Sequence, residues 1–275
     1  MKLIADCHVH TNFSGDSTSS MESMIEQGIK NGLSYICFTD HMDYDYPEQY
    51  LENGCQFEFD VDAYFSKIQA MQKKYKDQIN ILAGIELGIQ PHLADRLENL
   101  VSSYPFDFVI ASSHLLKNYD PYYPDYWKQI GNNAELGLRQ YFQSIRENVE
   151  SFSNFDVYGH LDYIVRYVPD QNYKYDLAQF QEELDALLKL IIGKGKGIEL
   201  NTAGLKYGLP FSHPKEEIFQ RFFELGGTYY TIGSDAHKPE HLSYAFDEEG
   251  KRLEKLSIPD PSVFVGRKPI SFTVK

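Results

Sequence analysis

The stretch "ADCHVHTNFSGDS" (residues 5–17) decides how the whole chain is read. An apolar run, "LIADC" (3–7), leads into His8, Val9 and His10 and then breaks into a loop containing Gly15 and Asp16. That order describes a buried strand delivering titratable groups at its C-terminal end. Six more short apolar runs follow: "YICFTD" (35–40), "NILAGIEL" (80–87), "FDFVIASSH" (106–114), "FDVYGHLD" (155–162), "GIELNTA" (197–203) and "YYTIGSDAH" (229–237). Amphipathic patterns of helical period lie between them, near 19–31, 60–77, 92–103, 132–152, 176–193 and 214–225. Seven strand–helix units in series, with no break in composition, predict one α/β domain over residues 1–275, built as a parallel TIM-like barrel. An open doubly wound sheet is the alternative.

Local signals agree with the helices. Ser19 and Glu22 have capping-box spacing, and Gly32 stands where a helix C′ glycine belongs. Leu184, Leu187, Leu188 and Ile191 mark one buried helix face. "GKGKG" (193–197) lacks the spacing of a phosphate loop and reads as a helix stop before the next strand. Strict alternation places Asp6, His8 and His10 on one face of the first strand and Cys7 on the other, as a core residue.

Six of the nine histidines sit at or just past a strand end: His8, His10, His41, His114, His160 and His237. Glu86 and Asp235 occupy similar positions. In a parallel barrel all strand C-termini share one face, so these side chains converge from more than 220 positions of sequence. One histidine at a strand end is more often a hydrogen-bonded structural residue; six in one topological position are not explained that way. Imidazole and carboxylate ligands suit Zn, Mn or Fe. With Asp16 the set is large enough for two or three ions, if Glu86 bridges. Asp6 and Asp40 are placed to orient ligands from behind. His92, His213 and His241 lie at helix starts or in loops and read as caps or surface residues.

Bulk properties narrow the partners. A formal charge of −14 opposes a large nucleic-acid interface but not a small phosphorylated substrate. Three cysteines, Cys7, Cys37 and Cys55, fit a reduced compartment. No signal peptide or apolar run of membrane-spanning length is seen, so a cytoplasmic protein with no membrane partner is expected. Two long connections, 42–60 and 115–131, follow strand ends and are rich in Tyr and acids, the place where barrels build pockets.

In order along the chain, "DCHVH", Asp16, "TDH", "GIEL", "SSH", "GHLD" and "SDAH" resemble the motifs of the PHP (polymerase and histidinol phosphatase) family of metal-dependent phosphoesterases, over residues 6–237. "GHLDYIVRY" (159–167) and "IELNTAGLKYG" (198–208) are most similar to its stand-alone histidinol-phosphate phosphatases. The resemblance implies a distorted (β/α)7 barrel with three divalent metal ions. One ion would take His8, His10, Glu86 and Asp235; a second would share Glu86 with His114 and His160; a third would take Asp16, His41 and His237. Some relatives have His where this chain has Asp16, which adds a negative charge there.

The implied reaction is hydrolysis of L-histidinol phosphate by a metal-bridging hydroxide. Three divalent ions and the carboxylates of Asp16, Glu86 and Asp235 leave about +3, which a phosphomonoester dianion and a hydroxide neutralise. Asp235 or His237 would protonate the leaving alkoxide. Arg166 is the expected phosphate clamp, with a surface salt bridge as its ordinary alternative. Asp43, Asp45, Tyr119, Asp120, Tyr122 and Tyr123 are candidates for holding the cationic end of the substrate. Rival readings are a PHP enzyme acting on another monoester or on nucleic-acid ends, a mono- or binuclear amidohydrolase, and a non-enzymatic metal or phosphate sensor. No strand-end Lys is present to serve the amidohydrolase reading.

Overall fold

The computed structural model describes residues 1–51, 56–170 and 172–272. Cys55 lies outside the described residues. Seven strands form one parallel sheet in chain order: β1 (Ala5–Val9), β2 (Tyr35–Phe38), β4 (Asn80–Gly88), β5 (Phe108–Ser112), β6 (Val157–Tyr158), β7 (Gly197–Asn201) and β8 (Tyr230–Gly233). A two-residue strand, β3 (His41–Met42), continues beside β4. The first and last strands meet through a parallel bridge between Val9 and Ala236, and His10 N–H donates to Ala236 O at 2.9 Å. The sheet therefore nearly closes as a seven-stranded barrel, which excludes the open, doubly wound alternative.

Helices α1 (Met21–Lys30), α2 (Val61–Tyr75), α3 (Ala94–Ser103), α5 (Ala134–Ser151), α6 (Gln181–Gly193) and α8 (Glu216–Glu224) match the six expected amphipathic segments. Three more were not legible: α4 (Pro124–Gln129), α7 (Ala203–Lys206) and α9 (Phe246–Leu253). At α1 the cap is Ser20, whose side chain accepts from Ser23 N–H, and not Ser19. Ser19 Oγ instead donates to His237 O at 2.9 Å, and Glu22 pairs with Lys74 rather than closing a capping box. Gly32 does end α1, at φ +76: Leu33 N–H donates to Gly28 O and Gly32 N–H to Ile29 O, the paired bonds of a Schellman turn. Leu184, Leu187, Leu188 and Ile191 are buried on one face of α6, and Gly193–Gly197 is the expected turn into β7. No described helix is long and apolar enough to cross a membrane.

The barrel interior at the N-terminal end of the strands is filled by Ala5, Cys7, Cys37, Leu82, Phe108, Ile110 and Val157. A C-terminal hairpin, β9 (Ser262–Val265) and β10 (Lys268–Ser271), closes that end with Val263 and Phe264. Asp107 and Asp156 anchor it by accepting from Gly266 N–H and Arg267 Nε–H at 2.9 and 2.6 Å. The interior is thus solid below, and the opposite end is left for polar groups.

Alternation fails once, in β1. Its register against β2 slips between Asp6, opposite Ile36, and Val9, opposite Phe38. Cys7 and His8 therefore share one opposite residue, Cys37, and both face inward. Asp6 shares the outer face with Ile36, contrary to the alternation reading. Cys7 is nevertheless a core residue, as expected, and burial pushes the thiols of Cys7 and Cys37 well above their ordinary range.

Candidate metal centre

Glu86 lies near the middle of the polar end of the barrel and is fully buried. One carboxylate oxygen, Oε2, is 3.1 Å from His8 Nε2, 3.6 Å from His10 Nε2 and 3.0 Å from His41 Nδ1. The other, Oε1, is 3.2 Å from His114 Nε2 and 3.0 Å from His160 Nε2, and accepts from Ser112 Oγ at 2.7 Å. Asp235 Oδ1 stands 3.4 Å from His10 Nε2 and 3.9 Å from His8 Nε2. Asp16 Oδ2 is 3.0 Å from His237 Nε2 and 3.6 Å from His41 Nε2. The eight residues expected at the strand ends, together with Asp16 from the loop after β1, join one array. Among the described residues, three subsets have ligand atoms within 4.8 Å of one another: His8, His10 and Asp235; His41, Glu86 and His114; His10, His41 and His237.

Side chains behind the array decide which ring nitrogen faces it. Glu199 Oε1 accepts from His8 Nδ1 at 2.6 Å, and Asp43 Oδ1 accepts from His114 Nδ1 at 2.6 Å. Ser14 Oγ donates to Asp40 at 2.8 Å and accepts from His41 N–H at 3.0 Å, with His10 Nδ1 at 3.1 Å. With Nδ1 committed to these partners in His8, His10 and His114, Nε2 is the ring atom turned inward, and a divalent ion would take the place of its proton. His8 Nε2, His10 Nε2 and Glu86 Oε2 are buried without a hydrogen-bond partner. Basic atoms stranded together away from water are costly unless a cation satisfies them, so the donor set fits divalent ions. Asp6 acts one step further out: it accepts from Ser234 N–H at 2.9 Å and Ser234 Oγ at 2.5 Å, beside Asp235.

The charges are strongly interdependent. Burial alone would raise the Glu86 carboxyl, but His8, His41 and His114 hold it well below the usual carboxylate range. Burial would lower His114, yet Asp43 and Glu86 push it up to about 10. Burial and the neighbouring imidazoles of His237 and His41 hold His10 well below the usual imidazole range.

Beside the array opens a cleft of about 750 Å³. Asp120, Tyr122, Tyr123 and Arg166 line it, as the sequence led us to expect, with Tyr46, Tyr50, Tyr163, Tyr167 and Tyr207, which it did not. Asp120 is buried, accepts from Tyr46 OH at 2.5 Å and Tyr122 N–H at 2.8 Å, and has no cation paired with it among the described residues. Arg166 forms no ion pair among the described residues either; its guanidinium lies 3.8 Å from the ring centre of Tyr207. Asp43 reaches the cleft wall, but its carboxylate is engaged by His114.

Two expected cleft residues lie elsewhere. Asp45 turns outward at φ +56 and pairs with His92 at 3.0 Å and Arg96 at 3.7 Å on the surface. Tyr119 bonds back to Leu116 across a tight turn at Lys117 and Asn118, both at positive φ, and faces a separate cavity of about 850 Å³. That second cavity is larger, but several of its polar side chains bond one another, such as Tyr126 with Gln140 and Gln143 with Glu147. His213 is buried, not superficial, with Nδ1 2.5 Å from Asp162 Oδ1, while His241 stands at the cleft rim. Glu199 was missed altogether, although a lone acid inside an apolar run is a visible signal.

The profile described as the PHP domain matches residues 6–203. A histidinol-phosphatase of Lactococcus lactis subsp. lactis is 31% identical over 270 residues, covering 96% of this chain and 95% of that protein. A probable histidinol-phosphatase of Clostridium acetobutylicum is 29% identical over 263 residues, covering 93% and 95%. The crystal structure of histidinol phosphate phosphatase from Lactococcus lactis, complexed with zinc, L-histidinol and phosphate, superposes with a TM-score of 0.86 at 29% identity, covering 97% of this chain and 98% of that one.

Proposed function

The chain belongs to the PHP domain family, and from that premise we propose that it hydrolyses L-histidinol phosphate to L-histidinol and phosphate with bound divalent ions. The observation that carries this reading is the Glu86-centred set of inward-facing imidazole and carboxylate atoms, open to a cleft with Arg166 and Asp120 in its walls. The relative solved with zinc, L-histidinol and phosphate supports the substrate.

Three ions per chain would be held by His8, His10, Glu86 and Asp235; by Glu86, His114 and His160; and by Asp16, His41 and His237. Zinc is the first choice, and manganese or iron suit the same ligands. When bound, such ions would supply positive charge for the phosphoryl oxygens and a water whose pKa falls toward about 7. The chain's own groups do the rest. Arg166, in no ion pair among the described residues, binds the phosphate through its planar fork of N–H donors. Asp120 takes the cationic end of the substrate, since a buried carboxylate without a cation favours one strongly. Tyr122 and Tyr123 supply ring faces beside it. Asp235 or His237, both lining the cleft, would relay the proton given up by the attacking water to the leaving alkoxide. A dianion at one end and a cation at the other then select a zwitterionic monoester over a nucleic-acid strand.

The test combines metal analysis with a panel of phosphomonoesters that includes L-histidinol phosphate and a single-stranded oligonucleotide control. Glu86→Ala or His10→Ala is expected to abolish phosphate release with the fold retained. Preferred cleavage of the oligonucleotide, or near-normal activity in either variant, would overturn the reading.

A further inference from the structure

Arg166 is held in an unusual way. It sits in a short 3-10 turn, Tyr163–Tyr167, directly after the loop that carries His160. Its Nε is buried and has no hydrogen-bond partner, and no carboxylate lies within ion-pairing distance among the described residues. Aromatic rings surround it instead: Tyr207 at 3.8 Å, Tyr163 at 5.2 Å and Tyr167 at 5.3 Å from guanidinium to ring centre. Tyr163 and Tyr167 are hydrogen-bonded to each other through their hydroxyls at 3.1 Å and belong to the same turn. Tyr207 comes from a different element, the C-cap of α7, and the residue is 56% exposed. Its neighbour Lys206 fixes that element by donating to Asp235 O at 2.7 Å.

A carboxylate would have positioned Arg166 as firmly, but it would have taken up the N–H donors and cancelled the charge. A ring face attracts the cation while leaving the in-plane donors free. We propose that Tyr207 is a positioning residue for Arg166: its ring holds the guanidinium plane at the cleft wall so that the N–H donors meet the phosphate of the substrate. This rests on Arg166 as the phosphate-binding group. Tyr207 itself acts through Arg166 and not on the phosphate.

The measurements are KM and kcat for L-histidinol phosphate and the inhibition constant of inorganic phosphate, on metal-loaded full-length protein. Tyr207→Leu removes the ring face from an exposed position. A lost cation–π contact corresponds to a rise of roughly two- to thirtyfold in KM and in the phosphate inhibition constant, with kcat changed much less. Tyr207→Phe keeps the ring and is expected to stay far closer to the parent. In an Arg166→Ala background, Tyr207→Leu is expected to add almost nothing, because the two residues act as one unit. An unchanged phosphate constant in Tyr207→Leu, a Phe variant as impaired as Leu, or a full Leu effect persisting without Arg166 would each overturn the inference. If Arg166→Ala alone leaves the phosphate constant unaltered, it is the phosphate-binding role of Arg166 that fails.

Discussion

Replacing Glu199 by Gln changes one atom, yet it should weaken metal binding in a way the geometry specifies. Glu199 is fully buried. Oε1 accepts from His8 Nδ1 at 2.6 Å, while Oε2 accepts from His160 N–H and from Asn201 Nδ2, each at 3.1 Å. All three partners donate, and a glutamine has only one accepting atom. If its oxygen faces His8, its NH2 opposes two donors. If it flips, the NH2 faces His8 Nδ1, which must then give up its proton to Nε2, and the lone pair toward Glu86 is lost. The substitution removes a charge-assisted hydrogen bond of about 1.5–3 kcal/mol and leaves at least one buried donor unmet. Losing such an outer partner lowers metal affinity by about tenfold to a hundredfold, or roughly 1.4–2.8 kcal/mol. Competition with a coloured chelator measures this directly, and thermal unfolding of the ion-free protein separates it from loss of fold. A Glu199→Gln protein that binds zinc with the parent's affinity would refute the reasoning.

Further perturbations probe other parts. A Cβ on Gly88 would overlap the Asp43 carboxylate, so Gly88→Ala should displace Asp43 from His114 Nδ1 and weaken zinc binding by about tenfold or more, while adding little to Asp43→Ala; chelator competition on the two single variants and the double variant checks it. Phe264 stacks on Phe108 with centroids 5.1 Å apart and is 2% exposed. Phe264→Ala should cost about 3–5 kcal/mol in urea unfolding yet leave zinc affinity unchanged, because it plugs the opposite end of the barrel.

Much of this arrangement was legible in the residues, and the exceptions have local causes. The strand ends could be placed because seven apolar runs recur in series and five of them lead into histidine, and barrel closure then brings distant ligands together. The faces of Asp6 and Cys7 could not be, because a bulge at Cys7–His8 breaks the two-residue period without leaving any Gly or Pro to mark it. Asp43 and Asp45 look alike in sequence, but one turn at positive φ sends Asp45 to Arg96 on the surface and leaves Asp43 behind His114. Tyr119 was misplaced for the same reason, a tight turn at Lys117–Asn118. Two features were readable and passed over. Glu199 is the one acid within "GIELN", and "SVFVGRKPIS" (262–271) carries a hairpin signal, with Gly266 and Arg267 at φ +55 and +65 forming the turn.

The most direct test of the central claim is phosphate release from L-histidinol phosphate, followed as zinc is returned stepwise to chelator-treated protein. The Glu86-centred array predicts no turnover in the ion-free protein and recovery in step with the ions bound, reaching the parent rate when the site is filled. Turnover that survives complete removal of metal, or a fully loaded protein that releases no phosphate, would contradict it.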